Sequence, residues 1–364
     1  MVNGQSVLEI VPGKNDREET IFSVIVKRSY AVDDSGVVAR CKPDHDLRRT
    51  DYYYEGGDPQ WATVQHEYEL AAFKPFVDVV VIGNAHAPGG KPVQFLPVSV
   101  KIGPYEKTVA VFGDRTCRYR ENALPEFSEP EPFTQIEIRY ERAYGGHDEK
   151  SIPEIPFHYP RNPMGTGIVL RNRKEIVEGL RLPNIEDPND LLTPERIILE
   201  EPRRWHLQPL PQGFGWRQRS WYPRSALLGS YSAFTEVGTV TAEERMGLVP
   251  PNHVALAKQH RLPIFEARFN NGASYGMMFP KLEGNERITL RGFSPEEFPG
   301  FSLPGEMPRI TLDLGLGESL LDSKLHTVSI RPDNMEFDLI WRGALAYEGY
   351  RWLPQMKRLS AQVE

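Results

Sequence analysis

The sequence predicts a mainly β protein: β-sandwich or open-barrel-like sheets joined by long Pro- and Gly-rich loops, with a few short helices. Three observations carry this. The 32 prolines and 30 glycines are spread along the 364 residues and not gathered in one tail, so they punctuate many short segments. Between them lie runs rich in β-branched and aromatic residues, either alternating apolar with polar or continuously apolar over a strand's length. Such runs fill the first 146 residues and return after Leu262, with an irregular stretch between them.

Taken in order, residues 7–11 read as a short apolar strand and residues 21–32, IFSVIVKRSYAV, as a long one. Asp33-Asp34-Ser35-Gly36 is a hairpin turn into a return strand at 37–39. Residues 42–63 are polar and aromatic, with Tyr52, Tyr53, Tyr54 and Trp61. Clustered aromatics of this kind either stack a ligand such as a sugar or hold the loop down on the sheet. Residues 76–83 are almost continuously apolar, the mark of a strand covered on both faces. Further strands are predicted at 93–102, 107–112, 116–119 and 133–140, joined by Gly, Asp and Pro turns.

The most distinctive joint lies between residues 136–146, IEIRYERAYGG, and the run 155–169, IPFHYPRNPMGTGIV. Ile136, Ile138 and Tyr140 alternate with Glu137, Arg139 and Glu141, which predicts a strand broken at Gly145-Gly146. The second run is too rich in proline and glycine for regular structure. Arg139, Glu141 and Arg142 are expected to form a structural ion-pair network anchoring the loop that carries Asn162 and Gly165, since a guanidinium satisfies several acceptors at once. Arg224, in Trp221-Tyr222-Pro223-Arg224, is expected to repeat that device.

Residues 147–230 are irregular, with one short helix at Thr193-Pro194-Glu195. A loop this long is usually functional or a wrapping element. Trp205, Phe214, Trp216 and Trp221 fall here and have two readings: a partner-contact surface, or the core of a loop-rich middle. Thr241-Ala242-Glu243-Glu244 reads as a capping box opening a short helix. Strands return at 287–292, 309–314, 327–331 and 336–342, with Asp333-Asn334 as a turn. The organisation is therefore an N-terminal β domain at 1–146, an irregular connecting region at 147–240 and a C-terminal β-rich region at 241–364, or one continuous domain.

The formal net charge of -7 argues against a nucleic-acid partner, and local basic runs such as Arg171, Arg173 and Lys174 read as solvated faces. Cys41 and Cys117 form no CxxC pair, so neither a zinc knuckle nor a redox motif is expected. The N-terminal residues lack the pattern of a signal peptide, and no apolar run approaches the roughly 20 residues of a membrane span. A cytoplasmic protein is the expectation.

Motifs of catalysis are scarce. No GxSxG, HExxH or P-loop occurs, and Gly165-Thr166-Gly167 lacks the third glycine and the preceding strand of a dinucleotide site. Carboxylate pairs such as Glu67 with Glu69, or Glu186 with Asp187, arise readily among 50 acidic residues. His86 is a candidate base with Asp114 as its orienter, or else a residue bonded to its own turn. No catalytic, cofactor-binding or metal-binding residue is assigned.

Several motifs, in order, do carry a resemblance. They are Phe73-Lys74-Pro75 with DVVVIGNA at 78–85, Gly113-Asp114-Arg115, YERAYGG at 140–146, NPMGTG at 162–167, LPNIE at 182–186, WYPR at 221–224, FNNGA at 269–273 and DLIWR at 338–342. Together they resemble the bacterial domain of unknown function 2169 family across nearly the whole chain. The resemblance implies a cytosolic adaptor or chaperone, encoded beside type VI secretion spike components, that helps load effectors on the spike. It implies no enzymatic activity and no cofactor. Its partner would be a secreted effector or PAAR-like tip protein, with the spike protein as a further candidate. Residues 231–263 depart from the family pattern, lacking its Trp and Asp-Phe, so what they contact is expected to differ. Two other readings stand beside this one. A carbohydrate-binding or carbohydrate-active β-sandwich would use the aromatics of residues 52–61, and a structural component of the secretion machine would self-assemble.

Overall fold

The computed structural model describes residues 7–17, 19–41, 43–54, 62–154, 156–227, 267–314, 317–347 and 360–363. The fold is mainly β. Its widest sheet has seven strands in the order Val7–Lys14, Thr20–Val32, Glu336–Ala346, Ser323–Arg331, Val77–Val81 and Met278–Phe279, with Val38–Arg40 paired to the end of Thr20–Val32. All neighbours are antiparallel except Ser323–Arg331 and Val77–Val81, which run parallel. A five-stranded sheet follows the order Ile185–Glu186, Tyr105–Phe112, Phe95–Ile102, Arg287–Arg291 and Phe301–Ser302.

One apolar core joins the two. Val79, Val81, Phe337 and Trp341 from the wide sheet cluster with Val98, Val100, Val109 and Ile288 from the other. A three-stranded sheet of Glu318–Leu321, Ile310–Asp313 and Ser360–Val363 is built separately. Its Ile310 and Leu312 cover Phe22, Val24 and Val26 of the long N-terminal strand.

Local chemistry sets the turns. The Asp33 carboxylate accepts the backbone N–H of Ser35 and of Val37, both at 2.9 Å, while Gly36 takes a positive φ of 84°. The predicted turn at Asp333-Asn334 is a 3-10 turn over Pro332–Asn334, closed by Met335 in the left-handed region. At Thr193-Pro194-Glu195 the predicted helix is a single 3-10 turn, Pro194–Arg196.

The strand predicted at 133–140 is shorter, Gln135–Glu137, and Tyr140–Arg142 forms a 3-10 turn. The cause is local. The Asn162 side-chain amide donates to the carbonyls of Tyr140 (2.8 Å) and Tyr144 (3.1 Å), and the Ala143 N–H donates to the Tyr140 carbonyl (3.1 Å), which closes the turn.

Strands from the two ends of the chain alternate within one sheet. Thr20–Val32 pairs with Glu336–Ala346 from Ile21↔Ala346 to Ala31↔Glu336. Val77–Val81 lies between Ser323–Arg331 and Met278–Phe279. Cuts near 146 and 241 therefore do not separate hydrogen-bonded units. The capping box at Thr241-Ala242-Glu243-Glu244, the divergent segment 231–263 and Trp61 lie outside the described residues.

Candidate functional site

Three arrangements of polar side chains position the parts of this molecule that carry chemistry. The first is the loop joint. Asn162 is fully buried, and its carbonyl also accepts the N–H of Gly146 at 2.9 Å. Gly165 crosses so close that a Cβ there would stand 2.5 Å from the carbonyl oxygen of Ala143 and 2.5 Å from Nδ2 of Asn162. Arg142 donates to Oδ1 of Asn184 at 3.1 Å, and Arg139 pairs with Glu137 at 3.0 Å while lying over the Tyr54 ring. Glu141 accepts the Thr63 N–H at 3.0 Å. The expected anchors thus act on different neighbours. The closest Arg139–Glu141 approach is 3.9 Å, too long for a hydrogen bond.

The second arrangement is a buried ionic layer on one face of the seven-stranded sheet. Period-two alternation puts Ser23, Lys27 and Ser29 on the same face as Asp338 and Arg342 of the neighbouring strand, away from the shared core, with Ser29 directly opposite Asp338. Segments 44–48 and 69–72 lie against that face and supply counter-charges and carbonyls. Lys27 Nζ lies 2.9 Å from Glu69 and 3.5 Å from Asp338. Arg48 reaches Glu69 at 2.8 Å, and Arg331 reaches Asp338 at 2.7 Å. Lys74 pairs with Asp78 at 2.7 Å, and Arg224 with Glu67 at 2.6 Å. Arg342 uses its guanidinium on backbone, donating to the carbonyls of Ala71 and Glu69 at 2.7 Å each. Burial works against the Asp338 carboxylate, but hydrogen bonds from His45 and Arg331 and the Lys27 charge hold it well below the usual carboxylate range. Burial, with the charges of Arg48, Arg331 and Lys27, pushes the His66 imidazole down to about 3.

This layer was not foreseen. Its signal is Lys27, with Ser23 and Ser29 at period two on the same face of a largely apolar strand, since a buried lysine must find partners. Arg224 pairs with Glu67 and donates to the Phe269 carbonyl (2.9 Å), tying residues 67, 224 and 269 together. Gly272 fits beneath this pair because a Cβ would meet Glu67 Oε2 at 2.5 Å. Asp78, Glu69 and Asp338 are each paired with a cation, and Asp78 also accepts the N–H groups of Gly272 and Ala273.

The third is a cleft of about 460 Å³ at the end of the ionic layer. Its walls are residues 73–77, 280–283 and 322–326, with Met307 exposed at its side. The strand Ser323–Arg331 carries a bulge between Leu325 and Thr327, so His326 has no opposite residue on Glu336–Ala346. Burial, then the charges of Arg342, Lys74 and Lys324, keep the His326 imidazole well below its ordinary value.

Two expectations are corrected. Trp205, Phe214, Trp216 and Trp221 are all buried, between 0% and 5% exposed, so they form no contact surface. Phe214, Trp216 and Trp221 belong to the core shared by the sheets. Trp205 belongs to a second core within the loop-rich middle, with Tyr144, Tyr159 and Tyr222. Their position follows from size: aromatic rings bury the most apolar area in a region poor in regular structure. His86 is not oriented by Asp114. It faces Asp333 at 3.3 Å, whereas Asp114 accepts from Asn184 at 2.9 Å.

Among the described residues, no group of three or more His, Cys, Asp or Glu is arranged to hold a metal ion, and Cys41 and Cys117 are free thiols. No helix among them is long and apolar enough to cross a membrane.

The family model described as "Uncharacterized protein conserved in bacteria (DUF2169)" matches residues 17–342, most of the chain. The chain belongs to this family. The matched span contains the loop joint, the ionic layer and the cleft, so all three lie within the family's domain. No curated protein and no solved structure matches the chain.

Proposed function

We propose that this member of the family is a non-enzymatic cytoplasmic adaptor, or chaperone, that binds a secreted effector or a PAAR-like tip protein and helps load it on the type VI secretion spike. What carries the reading is the family membership over residues 17–342, with the ordered motifs that point to the same family. The arrangement of polar groups is compatible with it. Carboxylates that would suit acid–base work are tied into ion pairs that hold loops, while the surface offers an open cleft and exposed apolar side chains such as Met307 and Leu320. A binding protein needs such a scaffold and no reactive group.

The test is purification of the tagged full-length protein from its native cytosol at moderate salt, followed by mass spectrometry and size-exclusion chromatography. One PAAR-like or toxin polypeptide, in near-stoichiometric amount and co-eluting, is the expected result. A lone protein that binds glycans on a sugar array would favour the carbohydrate reading. Recovery of sheath or baseplate subunits would favour a structural part of the machine.

A further inference from the structure

Lys107 stands where the strand pattern calls for an apolar residue. On Tyr105–Phe112 it shares a face with Val109 and Val111 of the core between the sheets, and it lies opposite Val100 of the same core. A lysine on that face has to find partners for its nitrogen. Its Nζ meets three neutral oxygens: the carbonyls of Gly213 at 2.7 Å and Tyr275 at 2.6 Å, and Oγ of Ser274 at 3.0 Å. The Phe214 ring lies 5.5 Å away.

The segments it reaches are bonded in turn to the seven-stranded sheet. The Phe214 carbonyl accepts the N–H of Val81 at 3.0 Å, and the Met277 carbonyl accepts that of Val79 at 2.9 Å. Lys107 therefore closes a seam between the two sheets, with residues 213–214 and 274–277 as its filling.

Among the described residues, no carboxylate pairs with Lys107. The charges around it are few. Arg217, beyond Phe214, spends its Nε on the Ala273 carbonyl at 2.8 Å and lies over the Tyr275 ring. Asp187 follows the neighbouring strand Ile185–Glu186, and its carboxylate accepts the N–H of Asn189 at 2.9 Å. Burial, then the Arg217 charge, pull the Lys107 amine down to about 7 against the opposing effect of Asp187.

Ser274 points the same way on geometry alone. It is fully buried, and among the described residues its Oγ lies within hydrogen-bond reach of Nζ alone. Tyr140 stands beside it, but the Tyr140 hydroxyl has no hydrogen-bond partner. An ammonium has three donors and no lone pair, so beside one the Ser274 proton has no acceptor. An amine gives two donors to the two carbonyls and a lone pair to the Ser274 O–H, which satisfies every group.

We propose that Lys107 and Ser274 form a protonation switch in the seam between the sheets. With Lys107 as an amine, Ser274 donates to it and the seam is fully paired. A proton taken up from solvent makes the ammonium, turns the hydroxyl away and leaves a buried charge without a counter-charge, so the seam weakens. Ser274 is too deeply buried to meet a substrate, so the pair acts on the fold and not as a nucleophile with its base. The unfolded lysine keeps its proton up to about 10.5, so stability rises with pH above 7 as the folded chain gives its proton up first.

The probe is the full-length protein carrying carbon-13 at lysine Cε, titrated by NMR, with urea unfolding at pH 7 and pH 8.5. One Cε resonance should titrate near pH 7 and be missing from Lys107→Met. The unfolding constant should fall about tenfold between the two pH values, and Lys107→Met should lose most of that change. Ser274→Asp supplies the missing counter-charge, so the titration should move above about pH 8. Lysine resonances that all titrate above about pH 9 would overturn the proposal, as would a resonance near pH 7 or a tenfold change that survives in Lys107→Met. Should Lys107→Met not fold, an unmoved titration in Ser274→Asp overturns the switch.

Discussion

Asn162 does more for this fold than any of the charged residues around the loop joint. Its amide donates to the carbonyls of Tyr140 and Tyr144, at the start of the turn at Tyr140–Arg142 and just beyond it. Asn162→Leu keeps the branched outline, in a somewhat larger side chain, and removes both bonds, so a loss of about 2–4 kcal/mol is expected in urea unfolding. Gly165→Ala should also destabilise, by about 1–3 kcal/mol, because its Cβ would press on the Ala143 carbonyl and on the Asn162 amide, which is itself held by two hydrogen bonds. An unchanged midpoint in either variant would contradict this account of the joint.

His66 makes a pH prediction. Its folded value of about 3 lies below the unfolded value near 6.5, so the unfolded chain binds a proton that the folded chain refuses. Stability should fall as pH drops below 6.5, by about 2 kcal/mol at pH 5 from this residue. His326 acts in the same direction. The Asp338 contribution is retained until pH reaches its unfolded value near 4 and is lost below it. His66→Asn should therefore lose less stability between pH 7 and pH 5 than the natural sequence. Equal losses would rule His66 out as the source.

At the scale of elements, much was legible before the structure. The long strand at 21–32, the apolar strand at 76–83 and the pair at 93–102 and 107–112 appear as Thr20–Val32, Val77–Val81, Phe95–Ile102 and Tyr105–Phe112. Period-two patterns and turn residues are local signals, and local signals survive without knowledge of the partner. What the pattern did not reveal is which strand lies beside which. Nothing in IFSVIVKRSYAV names Glu336–Ala346 as its neighbour, three hundred residues away. Nor does anything announce that segments 44–48 and 69–72 cover its polar face. The aromatics failed for the same reason: Trp216 looks identical in sequence whether it faces solvent or, as here, the Lys74 ammonium 5.1 Å from its ring.

This pairing has a testable consequence. Residues 1–146 made alone leave Thr20–Val32 without Glu336–Ala346 and Val77–Val81 without Ser323–Arg331. Two long apolar edges would then be bare, so the fragment should aggregate and show no cooperative melt by circular dichroism. A soluble fragment with a cooperative transition would show that the N-terminal part folds independently.

The molecule as a whole is a pair of sheets around one core, with irregular loops pinned by amides and guanidinium groups. Its interior charges serve this pinning. The central claim is the proposed one, that this protein holds another polypeptide for loading. The most direct measurement is export of the client. The gene should be deleted from its native bacterium, and secretion of the co-purifying effector or tip protein should be compared by quantitative mass spectrometry with and without the restored protein. The adaptor reading predicts that secretion of that one client falls at least tenfold while other secreted spike proteins continue, and that the restored protein recovers it. Undiminished secretion of the client would contradict the reading, and loss of all spike secretion together would make the protein part of the machine itself.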